Sequence, residues 1–352
     1  MEIITPGKVI LGGEHAVVYG TPAIASPTGE NLIVRGVWEE RNDKIWHVHE
    51  ERGQWEVERQ ATPAGTDVHP FIERSIREGE ALGTKLLRKR GKDVQWDQIP
   101  GGRITLVSRL PGKSGLGSSA AVAATIAEIV SRVMVEAHGE SYVPRPLKDL
   151  EQATHNVEKL IHKTPSGIDS TTSTHNGLVW FRNEKPGPKI IQMITGVHPV
   201  FQNKFHILHS GVPEETTGEM VEYVRRYLKK GSRAHKRLRE NEQAVRELYA
   251  ALMDGNVEAA GEAINTLSKW LVSIGVVGKR GQEVLRACEQ AGMPAKVCGA
   301  GGRAKGSGVF LVLSRGNTEA VEALAEKLEA EVFSFALPID SMLDMKDVKP
   351  LP

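Results

Sequence analysis

The stretch from Arg103 to His138 constrains this chain more than any other. A strand-like run, Arg103 to Val107, is followed by Leu110-Pro111-Gly112-Lys113-Ser114-Gly115-Leu116-Gly117-Ser118-Ser119-Ala120-Ala121, which leads straight into an alanine-rich helical segment from about Ser118 to His138. A strand, a glycine loop and two hydroxyls at a helix start are what phosphate binding needs. Glycines let backbone N–H groups approach an anion, and a helix N-terminus adds unpaired donors and partial positive charge. Ser118 and Ser119 are suited to cap the helix, and one hydroxyl can also reach a Mg²⁺ ion. The plain alternative is an ordinary serine cap. The loop is not a Walker A motif: Gly112-Lys113-Ser114 has the terminal triplet, but the required earlier glycine would fall at Val107. No Gly-x-Gly-x-x-Gly opens a helix, so a dinucleotide fold is poorly supported.

Composition narrows the function classes. A chain of 352 residues is long enough for about two domains. Lys and Arg number 45 against 44 Asp and Glu, a net charge of +1, which gives no electrostatic case for a nucleic-acid partner. The hydrophobic share of 40% argues against disorder along the whole chain. Two cysteines, Cys288 and Cys298, can build neither a disulfide framework nor a zinc site, and they suit a reducing compartment. The first residues lack the basic and apolar regions of a signal peptide. The apolar segment from Ala120 to Val135 is interrupted by Glu128 and Arg132 and is too short to span a bilayer. A soluble, cytoplasmic protein with no membrane partner is expected.

Strand-like runs fall at Lys8 to Leu11, Leu32 to Trp38, Ile45 to Val48 and Leu178 to Phe181, with amphipathic helices at Pro70 to Arg90 and Pro146 to Ile161. The polar, Pro- and Gly-rich Asn183 to Pro188 is the best boundary, dividing the chain into residues 1–185 and 186–352. Beyond it, strands are predicted at Phe205 to Leu208, Lys296 to Cys298, Gly308 to Leu313 and Ala330 to Phe335. Helices are predicted at Glu219 to Lys229, Ala234 to Met253, Val257 to Val277, Gly281 to Ala291 and Thr318 to Glu329. Mixed strands and helices of this kind argue an α/β or α+β architecture.

Two further glycine-rich segments accompany the central loop. One is Pro6-Gly7-Lys8 through Gly12-Gly13-Glu14-His15-Ala16-Val17-Val18-Tyr19-Gly20, where a Lys, a Glu and a His surround a strand-to-turn junction. The other is Lys296-Val297-Cys298-Gly299-Ala300-Gly301-Gly302-Arg303-Ala304-Lys305-Gly306-Ser307-Gly308. In this order and spacing the three segments resemble those of the galactokinase, homoserine kinase, mevalonate kinase and phosphomevalonate kinase (GHMP) superfamily. Within it, the Gly13 to Gly20 sequence, the segment Glu158 to Ser170, and Ser210-Gly211-Val212-Pro213 with Thr217-Gly218-Glu219 are most similar to the mevalonate kinase family. The sequence departs from the pattern at Lys113, where glycine is usual, and at Arg303 to Lys305, which lengthen the last glycine loop.

The resemblance implies an α+β, two-domain fold, with a ribosomal S5 domain 2-like N-terminal domain, a ferredoxin-like C-terminal domain and the active site in the cleft between them. It implies phosphoryl transfer from ATP with Mg²⁺ to a small-molecule acceptor, mevalonate. Phosphomevalonate, a sugar, or a silent ligand-sensing role are the alternatives. Such transfer needs positioning, charge neutralisation and a group to take the hydroxyl proton. The resemblance gives that last role to Asp169, which could also open a helix, and gives Lys8 the neutralising role. Pro111 to Ala120 would hold the nucleotide phosphates, and Ser119 with Glu158 would hold the metal. Glu14, His15, Ser166, Gly167 and Thr217 would shape the acceptor pocket, and Gly299, Ala300, Gly301 and Gly302 would form the last loop. A homodimer is a further expectation drawn from the same resemblance.

Overall fold

The computed structural model describes residues 1–30, 32–50, 53–58, 69–112, 114–142, 147–162, 165–175, 177–183, 187, 189–229 and 232–338. The chain begins with β1 (Glu2–Pro6), β2 (Lys8–Gly12), β3 (Pro22–Pro27), β4 (Ile33–Arg41), β5 (Ile45–Glu50), β6 (Gly53–Glu58) and helix α1 (Pro70–Lys89). There follow β7 (Gly101–Ser108), α2 (Ser118–Ala137), α3 (Leu147–Ile161), α4 (Ile168–His175), β8 (Val179–Asn183) and β9 (Lys189–Met193). The remainder is β10 (Phe205–His209), α5 (Thr217–Leu228), α6 (Ser232–Asp254), α7 (Val257–Ser273), α8 (Lys279–Gln290), β11 (Ala295–Val297), β12 (Val309–Leu313), α9 (Thr318–Lys327) and β13 (Glu331–Phe335).

The strands form one sheet in the order β1-β4-β7-β5-β6, a second in the order β2-β3-β8-β9, and a third in the order β11-β12-β10-β13. Pairing is antiparallel except between β5 and β7. The first two sheets, with α1 to α4, make the N-terminal domain. The third, with α5 to α9, makes the C-terminal one. Strands β8 and β9 pair from Val179↔Met193 to Asn183↔Lys189, and the expected boundary between 185 and 186 lies outside the described residues.

Helix α2 is the axis of the N-terminal domain. Its small side chains let neighbours approach on every side, and it is buried almost continuously from Ala120 to Val135. It is long and apolar enough to cross a membrane, but 83% of its apolar window is buried inside the protein, as for a core helix. On one side, Gly36 of β4 leaves room for Thr125 and Ile129; a Cβ there would lie 2.4 Å from Thr125 Cγ2. On another, Gly79 of α1 sits against Ala127 and Val130. A single apolar core runs from Val9, Leu11 and Ile24 to Phe205, Val245 and Ile264, so the two domains share buried surface rather than merely touching. A second core, including Met220, Trp270, Val284 and Phe310, belongs largely to the C-terminal part.

The predicted elements recur with modest shifts at their ends. Helix α7 stops at Ser273 instead of reaching Val277, because Gly275 takes a φ of 78°, a left-handed turn that ends a helix. Strand β3, Pro-Ala-Ile-Ala-Ser-Pro, is absent from the expectations: its two prolines and small residues disguise a strand buried along its whole length. Because Gly36 fixes how closely α2 approaches the sheet, Gly36→Val is expected to cost about 1–3 kcal/mol by overpacking. The check is a lower urea midpoint with an unchanged m-value.

Candidate active site

The glycine loop between β7 and α2 is held in shape by its own backbone. Gly115 and Gly117 have φ of 84° and 70°, conformations that an L side chain resists. Ser114 is buried, and its hydroxyl donates to the Pro111 carbonyl at 2.6 Å. The expected serine cap does not form. Gly117 occupies the cap position of α2 with no side-chain cap, and Ser118 and Ser119 lie in the first turn. This leaves first-turn N–H groups directed out of the helix end with no side chain bonded across them, the arrangement that receives anions. Ser119 instead donates its hydroxyl to Glu158 Oε1 at 2.6 Å. Lys113 lies outside the described residues.

Lys8, at the start of β2, ties this loop to the rest of the site. Its backbone N–H donates to Leu116 O at 2.7 Å, and its ammonium donates to Gly115 O at 3.0 Å. The same ammonium pairs with Asp169 Oδ1 at 3.1 Å. The approach is possible because Gly117 carries no side chain; a Cβ there would lie 2.8 Å from Lys8 Cγ. Asp169 stands in the first turn of α4, where the helix dipole favours a carboxylate. It is not the cap, since Gly167 O accepts the bond from Thr171 N–H. Ser166 Oγ accepts from Ile168 N–H at 3.3 Å, and Gly167 turns with a φ of 96°. The two residues expected to border the acceptor thus shape the backbone that presents Asp169.

Glu158 projects from α3 into the same group and is buried. Burial pushes its carboxyl up to about 7, and the nearby Asp169 charge adds to this, while the Ser119 hydrogen bond and Lys8 act the other way. A buried carboxylate short of positive charge, bonded to a serine hydroxyl and close to a second carboxylate, is a hard-oxygen donor set suited to Mg²⁺. His162, at the end of α3, is within electrostatic reach of both Asp169 and Lys8, and burial lowers its pKa. Its helical spacing from Glu158 points towards this site, but only the fold brings it within reach of the Lys8–Asp169 charges.

The last glycine loop closes over the cradle from the C-terminal domain. Gly299 and Gly115 meet backbone to backbone; a Cβ on Gly299 would lie 2.9 Å from the Gly115 Cα. Gly308 similarly abuts Ser114 O. His15, with a φ of 58°, places Nε2 at 3.0 Å from Ala300 O. Burial lowers its pKa to about 4, so the ring is neutral at neutral pH. Since a carbonyl only accepts, Nε2 carries the hydrogen and Nδ1 is left as an acceptor.

Glu14 is 1% exposed and forms an ion pair with Lys296, itself 0% exposed, so its carboxylate is held by a partner within the protein. Lys296 was not among the expected site residues, because a strand lysine next to an apolar residue gives no sign of complete burial. Gly301, with a φ of 70°, sits against Val276 O, and Gly302 against Gly306 O and Pro213. The lengthened loop is anchored away from the cradle: the Arg303 guanidinium lies 4.1 Å from the Tyr223 ring centre, and Lys305 pairs with Glu214 at 2.6 Å. Thr217 is exposed at the first turn of α5, whose cap is Thr216 with Glu219.

Comparison with known proteins finds related sequences and folds. The GHMP kinases N-terminal domain matches residues 80–177, which include the central loop, Glu158 and Asp169. A mevalonate kinase of Aeropyrum pernix is 28% identical over 337 residues, covering 93% of this chain and 94% of that protein. Among solved structures, the mevalonate kinase of Methanococcus jannaschii superposes with a TM-score of 0.75 at 21% identity, over 96% of this chain and 98% of that one. That of L. major in complex with R-mevalonate gives a TM-score of 0.69 at 20% identity, over 96% and 97%. Likeness to mevalonate kinases runs along nearly the whole chain, and the GHMP kinase domain match falls on the central loop and both carboxylates.

Proposed function

We propose that this protein is an ATP-dependent mevalonate kinase, moving the γ-phosphoryl group of ATP to the primary hydroxyl of mevalonate. The observation that carries the reading is the Lys8–Asp169 pair at 3.1 Å, set beside the open N-terminus of α2. The glycine loop and the first turn of α2 would receive the nucleotide phosphates through backbone N–H groups. Ser119 and Glu158 would hold Mg²⁺, whose charge offsets that of the phosphates. Asp169 accepts the proton of the attacking hydroxyl as the oxygen–phosphorus bond forms and ADP leaves. Lys8 orients that carboxylate and offsets charge on the transferred group. His15, neutral and with Nδ1 free to accept, suits a hydroxyl of the acceptor better than its carboxylate.

A phosphorylated acceptor would call for additional cations in the pocket. Of Lys113, Arg303 and Lys305, the three residues that would favour one, Lys113 lies outside the described residues, and Arg303 and Lys305 are engaged by Tyr223 and Glu214, which favours unphosphorylated mevalonate. A silent paralogue is disfavoured because Lys8, Glu158 and Asp169 are all present and assembled. A cytoplasmic setting accords with Cys288 and Cys298, both buried and unpaired.

Asp169→Asn should lower kcat by roughly 10²–10⁴-fold with nucleotide affinity largely kept, because the amide has the carboxylate's shape but cannot take the proton. Coupled detection of ADP release is the measurement, and more than half of wild-type kcat would rule the role out. Lys8→Met should also be severe, and the two losses should combine to less than their product because the groups act as a unit.

Ser119→Ala and Glu158→Gln each remove or weaken a hard-oxygen ligand, so both should shift the activity midpoint to higher free Mg²⁺ at fixed ATP. Unchanged midpoints in both would place the metal elsewhere.

The acceptor is tested by kcat/KM for mevalonate against phosphomevalonate and galactose. Mevalonate should lead, and His15→Ala should raise its KM with little change in KM for ATP. A tenfold preference for either competitor would overturn the acceptor while leaving the kinase reading standing.

A further inference from the structure

The Glu14–Lys296 pair is the most deeply buried ionic contact described in the molecule, and its two partners come from different domains. Glu14 follows β2 in the N-terminal domain, and Lys296 lies in β11 of the C-terminal domain. The Lys296 ammonium also donates to Ile10 O at 3.0 Å, and the neighbouring Cys298 thiol lies 3.6 Å from that carbonyl. Burial pushes the Glu14 carboxyl up, and Lys296 pulls it back. Taking two charges out of water is costly, and well-packed apolar residues often serve stability as well or better. A buried pair in this position therefore needs a reason other than stability, and its neighbours supply one.

Gly299, three residues beyond Lys296, is pressed against Gly115 of the central loop. Ala300, one residue further, accepts from His15, the residue after Glu14. Two adjacent residues of the first glycine segment thus grip the start of the last glycine loop at two points four residues apart. The other side of the Gly115 peptide is fixed by Lys8, which bonds its carbonyl. A shift of a few tenths of an ångström at Lys296 would either open the Gly115–Gly299 contact or push the central loop off Lys8, since neither glycine has a side chain that could take up the change.

We propose that Glu14 and Lys296 are positioning residues for nucleotide binding: their buried pair sets the register of the 299–302 loop against the central loop and so holds the phosphate cradle in its binding shape. Neither side chain touches the nucleotide. The proposal rests on reading this cleft as an ATP site, but not on the identity of the acceptor.

The test is direct binding of MgATP, measured by calorimetry without acceptor, alongside thermal unfolding. Lys296→Met leaves Glu14 buried and unpaired, so it should lose both stability and nucleotide affinity. The informative variant is the double Glu14→Leu/Lys296→Met, in which no charge is stranded. It should recover most of the lost Tm yet bind MgATP at least fivefold more weakly than wild type. Glu14→Gln, which keeps the volume and an acceptor for the ammonium, serves where the double variant does not fold. It should hold its affinity closer to wild type than Lys296→Met does. A folded double variant within fivefold of wild-type affinity overturns the proposal, as does a Glu14→Gln protein that binds no better than Lys296→Met. Absence of MgATP binding by the wild-type protein would instead overturn the reading of the cleft as an ATP site.

Discussion

A buried ammonium must find both acceptors and an opposite charge, and Lys8 finds them by drawing three parts of the chain to one point. Its backbone fixes Leu116, its side chain fixes Gly115, and its charge faces Asp169 at the start of α4. Strand β2, the central loop and α4 are far apart in sequence, and this one residue sets their relative positions. The cleft follows from that convergence. The open end of α2, the carboxylates of α3 and α4, and the edge of the last glycine loop all lie around the Lys8 side chain because they pack against segments that Lys8 has tied together.

The glycines have two separate duties here. Gly117 and Gly299 remove bulk where the chain must approach closely, against the Lys8 side chain and the Gly115 backbone respectively. Gly115 and Gly167 supply left-handed turns that aim the loop and the Asp169 helix. A side chain at any of these four positions would move a polar group of the site, so the glycine content is concentrated where geometry is least tolerant. Arg303 and Lys305 carry the longer final loop onto Tyr223, Glu214 and Glu215.

Two of the titratable groups illustrate how burial divides the labour. His15 is pushed down to about 4 and Glu158 up to about 7, both chiefly by loss of water. The first becomes a fixed neutral acceptor, and the second a group that would gain from a cation. Neither state is visible from residue type.

What the sequence determined by itself was local. Glycine spacing and the alanine-rich run after Gly117 were enough to predict a loop suited to phosphate and a long helix, because periodicity and turn chemistry are short-range, whereas Glu158 and Asp169 were expected from the resemblance to GHMP kinases. Most elements were also legible, apart from strands such as β3 whose prolines and small residues carry no alternation. The tertiary structure decided what depends on distant partners. It turned Ser119 from a helix cap into a partner of Glu158, paired Glu14 with a lysine 282 residues away, and brought His162 within electrostatic reach of Lys8 and Asp169. Such roles follow from which charges lose their water together, and burial is a property of the packed chain, not of any segment within it.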